Sequence, residues 1–172
     1  AVLQILRPYH PSLPKDPRTL MGTPAQVDVM KLAGGNYHHV GIEKSIKSIV
    51  EYHCLDPHQL DNNIYIQINI DGLPIFKSSG LQFWPILGRI TQPFSSEPFA
   101  IAIYSSYKKP ANVCEYLSQF VSEAKQLEVE GCVLLGKKVF VKIQCFVCDA
   151  PARCFLKNTK SFTGYYGCER CI

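Results

Sequence analysis

The chain has 172 residues, of which 47% are apolar and 19% charged, with a net charge of +4. That is enough for one domain with its own core, or one domain plus an extension, and too apolar for a disordered tail. No apolar run approaches the roughly 20 residues of a membrane-spanning helix; the mild positive charge permits an anionic partner such as nucleic acid without demanding one.

Pro8, Pro11, Pro14, Pro17 and Pro24 crowd the start of the chain. Their missing N–H groups and fixed φ predict an extended arm or linker over residues 1–24, without helix. A short strand is expected over Val27–Leu32, ending at Gly34-Gly35. Ile42, Ile46, Ile49 and Val50 then recur at helical spacing, so Gly41–His53 is predicted to be an amphipathic helix, with Pro57 beyond it. From Ile64 to Ile70 isoleucine alternates with polar residues, the signature of a strand with one apolar face. Asp71-Gly72, followed by Pro74, reads as the turn that ends it.

Two further strands, Phe83–Ile90 and Phe99–Tyr104, are joined by short polar or proline-bearing connections, which favour an antiparallel meander. Asn112 with Glu115 resembles a capping box. It opens a helix with a stripe of Val113, Leu117, Phe120, Val121, Ala124 and Leu127 that ends near Gly131. Val139–Cys148 is apolar on both faces and reads as a central strand covered on each side. Pro151 suits the first turn of a last helix, Ala150–Asn158.

Eight cysteines stand at 54, 114, 132, 145, 148, 154, 168 and 171. Their crowding into strand-like runs, and the lack of an export signal at the start, point to an intracellular, reduced protein rather than a disulfide framework. Cys145 and Cys148 fall within a strand, on opposite faces, and are expected to be buried small hydrophobes. Cys168 and Cys171 have zinc-ligand spacing beside Gly164-Tyr165-Tyr166-Gly167 and read as half of a zinc site. His38, His39, His53 and His58 have no ligand partner at useful spacing and are expected at the surface or in packing. Lys108-Lys109, Lys137-Lys138 and Lys77-Ser78-Ser79 could meet phosphate, though short lysine pairs are commonly just solvated.

Three meander strands, a helix and a fourth strand make the first and fourth strands candidates for parallel neighbours through a right-handed crossover. Both then end at one sheet edge, where Asp71 and Asp149 would lie side by side. Paired carboxylates there can hold hard divalent cations through oxygen. Each aspartate also has an ordinary reading: Asp71 as a turn residue, Asp149 as a helix cap.

The segments Ile68–Ser79 (INIDGLPIFKSS) and Gln82–Gly88 (QFWPILG) resemble the first catalytic block of transposase-derived proteins related to the CACTA (En/Spm-like) elements. Phe146–Arg153 (FVCDAPAR) is similar to the second block, Thr163–Cys171 to the Cys-x-x-Cys after it, and Gly34–Gly41 to a segment before the core. The resemblance implies a ribonuclease H-like α/β (α+β) fold: a three-strand antiparallel meander, a crossover helix and a parallel fourth strand. On it, residues 1–60 form an N-terminal arm and helix, 61–160 the first part of the catalytic core, and 161–172 the start of a zinc-knuckle-like insertion.

It further implies a DDE/D site in which three carboxylates hold two Mg²⁺ or Mn²⁺ ions for DNA hydrolysis and strand transfer, with Asp71 first and Asp149 second. Cys168 and Cys171 would be ligands of a structural Zn²⁺. The third carboxylate is expected beyond the Cys-x-x-Cys. Glu169, between two presumed zinc ligands, does not fill that place, so this piece alone is not expected to be catalytically competent. The chain begins at Ala1 and stops just after Cys171, which reads as a fragment. The implied partners are DNA, at element ends and target, and further copies of the complete protein, with no membrane. Nuclear location follows from the substrate. Two other readings stand beside this one: a domesticated or decayed relative that binds DNA or protein without chemistry, and a ribonuclease H-like nuclease acting on RNA–DNA hybrids.

Overall fold

The computed structural model describes residues 2–23, 26–75, 79–160 and 164–165. It is a mixed α/β structure built on one mixed sheet. Residues 2–23 contain two short helices, α1 (Val2–Leu6) and α2 (Pro17–Leu20), where the proline density predicted none. The reason is position. Pro8 comes only after α1, and Pro17 stands in the first turn of α2, where its missing N–H has no partner to lose. Asp16 caps α2 by accepting from the Arg18 N–H at 2.8 Å.

Strands β1 (Met30–Leu32) and β2 (Gly35–His39) form a hairpin through Ala33 and Gly34, both at positive φ (49° and 83°). Helix α3 (Ile42–Tyr52) follows, then a 3-10 turn over Pro57–Gln59. Next come β3 (Asn63–Ile70), the two-residue β4 (Leu73–Pro74), β5 (Gln82–Gln92) and β6 (Phe99–Ser106). Helix α4 (Val113–Val129) crosses back to β7 (Cys132–Leu134) and β8 (Lys137–Phe146), and α5 (Ala150–Leu156) closes the described core.

The sheet order is β1-β2-β6-β5-β3-β8-β7, with β4 beside β5. The meander β3-β5-β6 is antiparallel and β8 runs parallel to β3, as the pattern of elements predicted. Because β2 pairs with β6, and α3 packs on β6, β7 and α4, residues from 30 onward belong to the same sheet and core as residues 61–160.

Ile64, Ile66, Ile68 and Ile70 are all fully buried against the helical layer. Each such side chain contributes about 1.5–3 kcal/mol by leaving water. The α4 stripe differs from the prediction in one place. Tyr116 is buried while Val121 is 37% exposed, because Tyr116 carries its hydroxyl to the Trp84 carbonyl at 3.1 Å and loses nothing by burial. Asn112 caps α4, accepting from the Cys114 and Glu115 N–H groups. Glu115 does not close a capping box; its Oε1 accepts from the Ala33 N–H at 2.8 Å and ties α4 to the β1–β2 turn.

Strand β8 is not covered on both sides. Val139 and Val141 are buried, but Cys145, Phe146 and Val147 are exposed. Its register explains why. Ile66 faces Ile143, whereas Gln67 faces Cys145, so one extra residue, Gln144, is bulged out of β8. The bulge shifts the alternation by one place. What reads as a strand apolar on both faces is two one-sided stretches out of phase. Cys145 and Cys148 still lie on opposite sides, but Cys145 is exposed and Cys148 only half-buried.

Cys132 is buried beneath α3, and burial, with the charges of Glu43 and Glu123 behind it, pushes its thiol up to about 11. A thiol in the unfolded chain ionises near 8.5. Above that pH the unfolded state sheds a proton that the folded state keeps, so the stability due to Cys132 is complete below the unfolded value and is lost as pH rises through about 11. Thermal melts from pH 8 to 11 are expected to show a falling midpoint, and Cys132→Ala to flatten part of that fall.

Candidate functional site

Asp71 follows β3 and Asp149 follows β8, two parallel neighbours distant in sequence. Past the Gln144 bulge, β8 pairs with β3 at a constant offset, Gln67 with Cys145 and Ile68 with Phe146. The Val147 N–H donates to the Ile68 carbonyl at 2.8 Å, and the Asn69 side-chain amide donates to the Val147 carbonyl at 2.6 Å. Continued past these pairs, the same offset would bring Ile70 level with Cys148 and Asp71 level with Asp149. Counted from Ile66–Ile143 without the bulge, Cys148 would have stood level with Asp71.

The Cys148 thiol reports the neighbourhood directly. Burial raises its pKa most, the negative charges of Asp149 and Asp71 add to the rise, and a backbone hydrogen bond from Ile70 and the charge of Arg153 oppose it. Both carboxylates therefore act on one sulfur.

Asp71 does not end its strand as a tight turn. The pairing of Ile70 with Ile86 resumes in the same register as Leu73 with Phe83, so β3 and β4 are one line along β5, interrupted at Asp71-Gly72. Opposite Asp71 that register places Pro85, which has no N–H to give a ladder. Asp71 is thereby released from regular pairing, and its Oδ1 accepts from the Gly72 N–H at 2.7 Å. Gly72 has a packing reason: a Cβ there would lie 2.7 Å from the Trp84 indole.

Asp149 is the N-cap of α5, its Oδ1 accepting from the Ala152 N–H at 2.7 Å. Each aspartate thus spends one oxygen on local backbone, and among the described residues the Oδ2 atoms accept no hydrogen bond. Below them Trp84 packs on Phe155 of α5 at 5.1 Å between ring centroids, and Phe155 and Tyr104 both approach Tyr116. These rings pack together beside Gly72, next to Asp71.

Two oxygen donors side by side would suit a hard divalent cation better than a thiol does. Among the described residues no group of three or more His, Cys, Asp or Glu side chains could hold a metal ion. Cys168, Cys171 and Glu169 lie outside the described residues, as do Lys77 and Ser78. The six described cysteines are free thiols. Of the lysine pairs, Lys109 sits 5.5 Å over the Phe155 ring, Lys138 lies over its neighbour Phe140, and the Lys137 ammonium donates to the Leu60 carbonyl. Among the described residues no helix is long and apolar enough to cross a membrane.

A second polar constellation escaped the sequence reading. Gly41, the N-cap of α3, has no side chain to offer, and Glu123 of α4 takes its place. Its Oε2 accepts from the Ile42 N–H at 2.8 Å and its Oε1 from the Glu43 N–H at 3.1 Å. Oε2 also meets His39 Nε2 at 2.9 Å, and His39 Nδ1 meets the buried Tyr37 hydroxyl at 3.1 Å. Burial, and then the Glu123 charge, raise the Tyr37 phenol above its ordinary value. Both histidine nitrogens are engaged, so this set is a brace between helices rather than an open ligand site. The one legible signal was a helix start at a residue unable to cap itself.

No protein-family model, curated protein or solved structure matches the chain.

Proposed function

We propose that this chain is the first part of the ribonuclease H-like catalytic domain of a CACTA-like DNA transposase, which in the complete protein hydrolyses phosphodiester bonds and transfers strands. The observation that carries the reading is the parallel pairing of β3 with β8, whose register, continued beyond Ile68–Phe146, would bring Asp71 level with Asp149. The spatial order β6-β5-β3-β8, with a helix crossing between β6 and the β7–β8 hairpin, supports the fold assignment.

On this reading Asp71 and Asp149 each present Oδ2 to Mg²⁺ or Mn²⁺, while Oδ1 is held by backbone N–H groups that fix the carboxyl planes. The ions, when bound, would stabilise charge developing on the attacking and leaving oxygens. The chain's own part is orientation: Pro85 and Gly72 free the Asp71 segment from the ladder, and α5 anchors Asp149. A third carboxylate and a structural Zn²⁺ at Cys168 and Cys171 complete the proposal, with DNA as partner, assembly of several copies, and the nucleus as location.

The test is DNA nicking by a longer protein that extends past Ile172. Cleavage is expected only with Mg²⁺ or Mn²⁺ and is expected to vanish in Asp71→Asn; undiminished cleavage by that variant removes the reading. One observation favours the non-catalytic alternative, since both aspartates already have backbone partners that explain them structurally. DNA binding that is salt-dependent yet indifferent to divalent metal would select that alternative.

A further inference from the structure

Beside the carboxylate edge lies a surface of opposite sign. The connection from β6 to α4 carries Tyr107, which is 71% exposed, followed by the exposed Lys108 and Lys109. It is held against α5, because the Lys109 ammonium stands 5.5 Å over the Phe155 ring. Phe155 rests on Trp84, and Trp84 lies across Gly72, next to Asp71. Lys109, Phe155, Trp84 and Gly72 thus form a continuous stack from the basic connection to the carboxylate edge. Helix α5 starts at Asp149 and adds Arg153, with Lys157 and Lys160 just after it. Of these cations, Lys109 is tied to the edge through the stack, and Arg153 acts on Cys148 together with Asp71 and Asp149. A cation over an aromatic face keeps its charge while losing mobility.

We propose that the Tyr107–Lys109 connection, together with the α5 end, is the surface that receives the DNA backbone and sets it beside Asp71 and Asp149. The lysines meet phosphates, and the Tyr107 ring offers a face for a base unstacked near the reacting phosphate. This rests on the reading of the chain as DNA-acting. It goes beyond that reading by naming Tyr107, Lys108, Lys109, Lys157 and Lys160, which lie outside the resembling motifs. Duplex DNA is the committed partner because complementarity of charge is what the surface offers. Without such cations, two carboxylates would repel a phosphate chain.

The experiment measures binding of a fluorescein-labelled DNA duplex by anisotropy across a range of salt, with three proteins: the native chain, Lys108→Gln/Lys109→Gln, and Lys44→Gln/Lys47→Gln. The last removes the same charge from α3. The expected result is that Lys108→Gln/Lys109→Gln weakens binding roughly tenfold and lowers the slope of log K against log salt by about 2, while the α3 variant moves neither much. Tyr107→Ala is expected to weaken binding to a duplex with a single-stranded overhang more than to a blunt one. Equal loss in the two lysine variants overturns the surface and leaves only general electrostatics. Unchanged binding in Lys108→Gln/Lys109→Gln, with native binding intact, overturns the surface while DNA action survives. No native binding in any salt or metal overturns both the surface and the DNA-acting reading.

Discussion

Asparagine in place of Asp149 is expected to leave the fold as stable as the native protein and to weaken divalent-cation binding on the order of a hundredfold. The capping role and the proposed cation-holding role of this side chain can be separated because they use different properties. Capping α5 needs an oxygen that accepts from the Ala152 N–H, and asparagine is as good an N-cap as aspartate. Holding a cation beside Asp71 needs the negative charge, which asparagine lacks. Asp149→Ala loses both, costing about 1 kcal/mol for the cap and moving the melting midpoint down about 2–4 °C. Mn²⁺ titration followed by electron paramagnetic resonance, with thermal melts on the same samples, reads the two effects independently. If Asp149→Asn takes up Mn²⁺ as the native chain does, Asp149 is a cap and nothing more. The non-catalytic reading then stands in place of the enzyme.

Glu123→Ala is the substitution expected to harm stability most outside the apolar core. Its carboxylate accepts from two N–H groups of the first turn of α3 and pairs with His39, and both side chains are only 21% exposed. Alanine leaves those donors facing an empty place. The expected loss is about 2–3 kcal/mol, or about 5–10 °C in the melting midpoint. Glu123→Gln keeps one acceptor oxygen and should recover about half of the loss. Hydrogen exchange at Ile42 and Glu43 localises the effect, since those amides lose their acceptors and should exchange faster in Glu123→Ala. A melt within about 2 °C of native would show that water replaces the carboxylate there at little cost.

The strand Asn63–Ile70, helix α3 and the meander were readable because each is declared by a local period, and the buried isoleucines of β3 follow that period without exception. The parallel pairing of β3 with β8 was readable as well, since it follows from the order of elements. Two things were not. The Gln144 bulge converts an apparently two-sided apolar strand into two one-sided stretches, and nothing in a run of Val, Phe, Ile and Cys marks which residue will be extruded. Its anchor is a contact across the sheet, where Gln144 Oε1 accepts from Gln67 and from Thr91. Likewise Glu115 and Glu123 act on residues 82 and 81 positions away, and a pattern confined to neighbours assigns them to their own helix. The helices before residue 23 were missed for the opposite reason: proline was counted, when its place within each turn decides.

The parallel pairing of β3 with β8 also fixes when the carboxylate edge can exist. The meander closes through short connections, whereas Asn69 and Val147 are 78 residues apart. Loop closure over that distance is entropically costly, so such contacts form late in folding. During synthesis the chain through β6 can therefore settle into a sheet that carries Asp71 but no finished edge. The second aspartate arrives only after α4 and the β7–β8 hairpin have been made. A cation held there, as proposed, would bind only the completed sheet and draw the last strand into place by mass action.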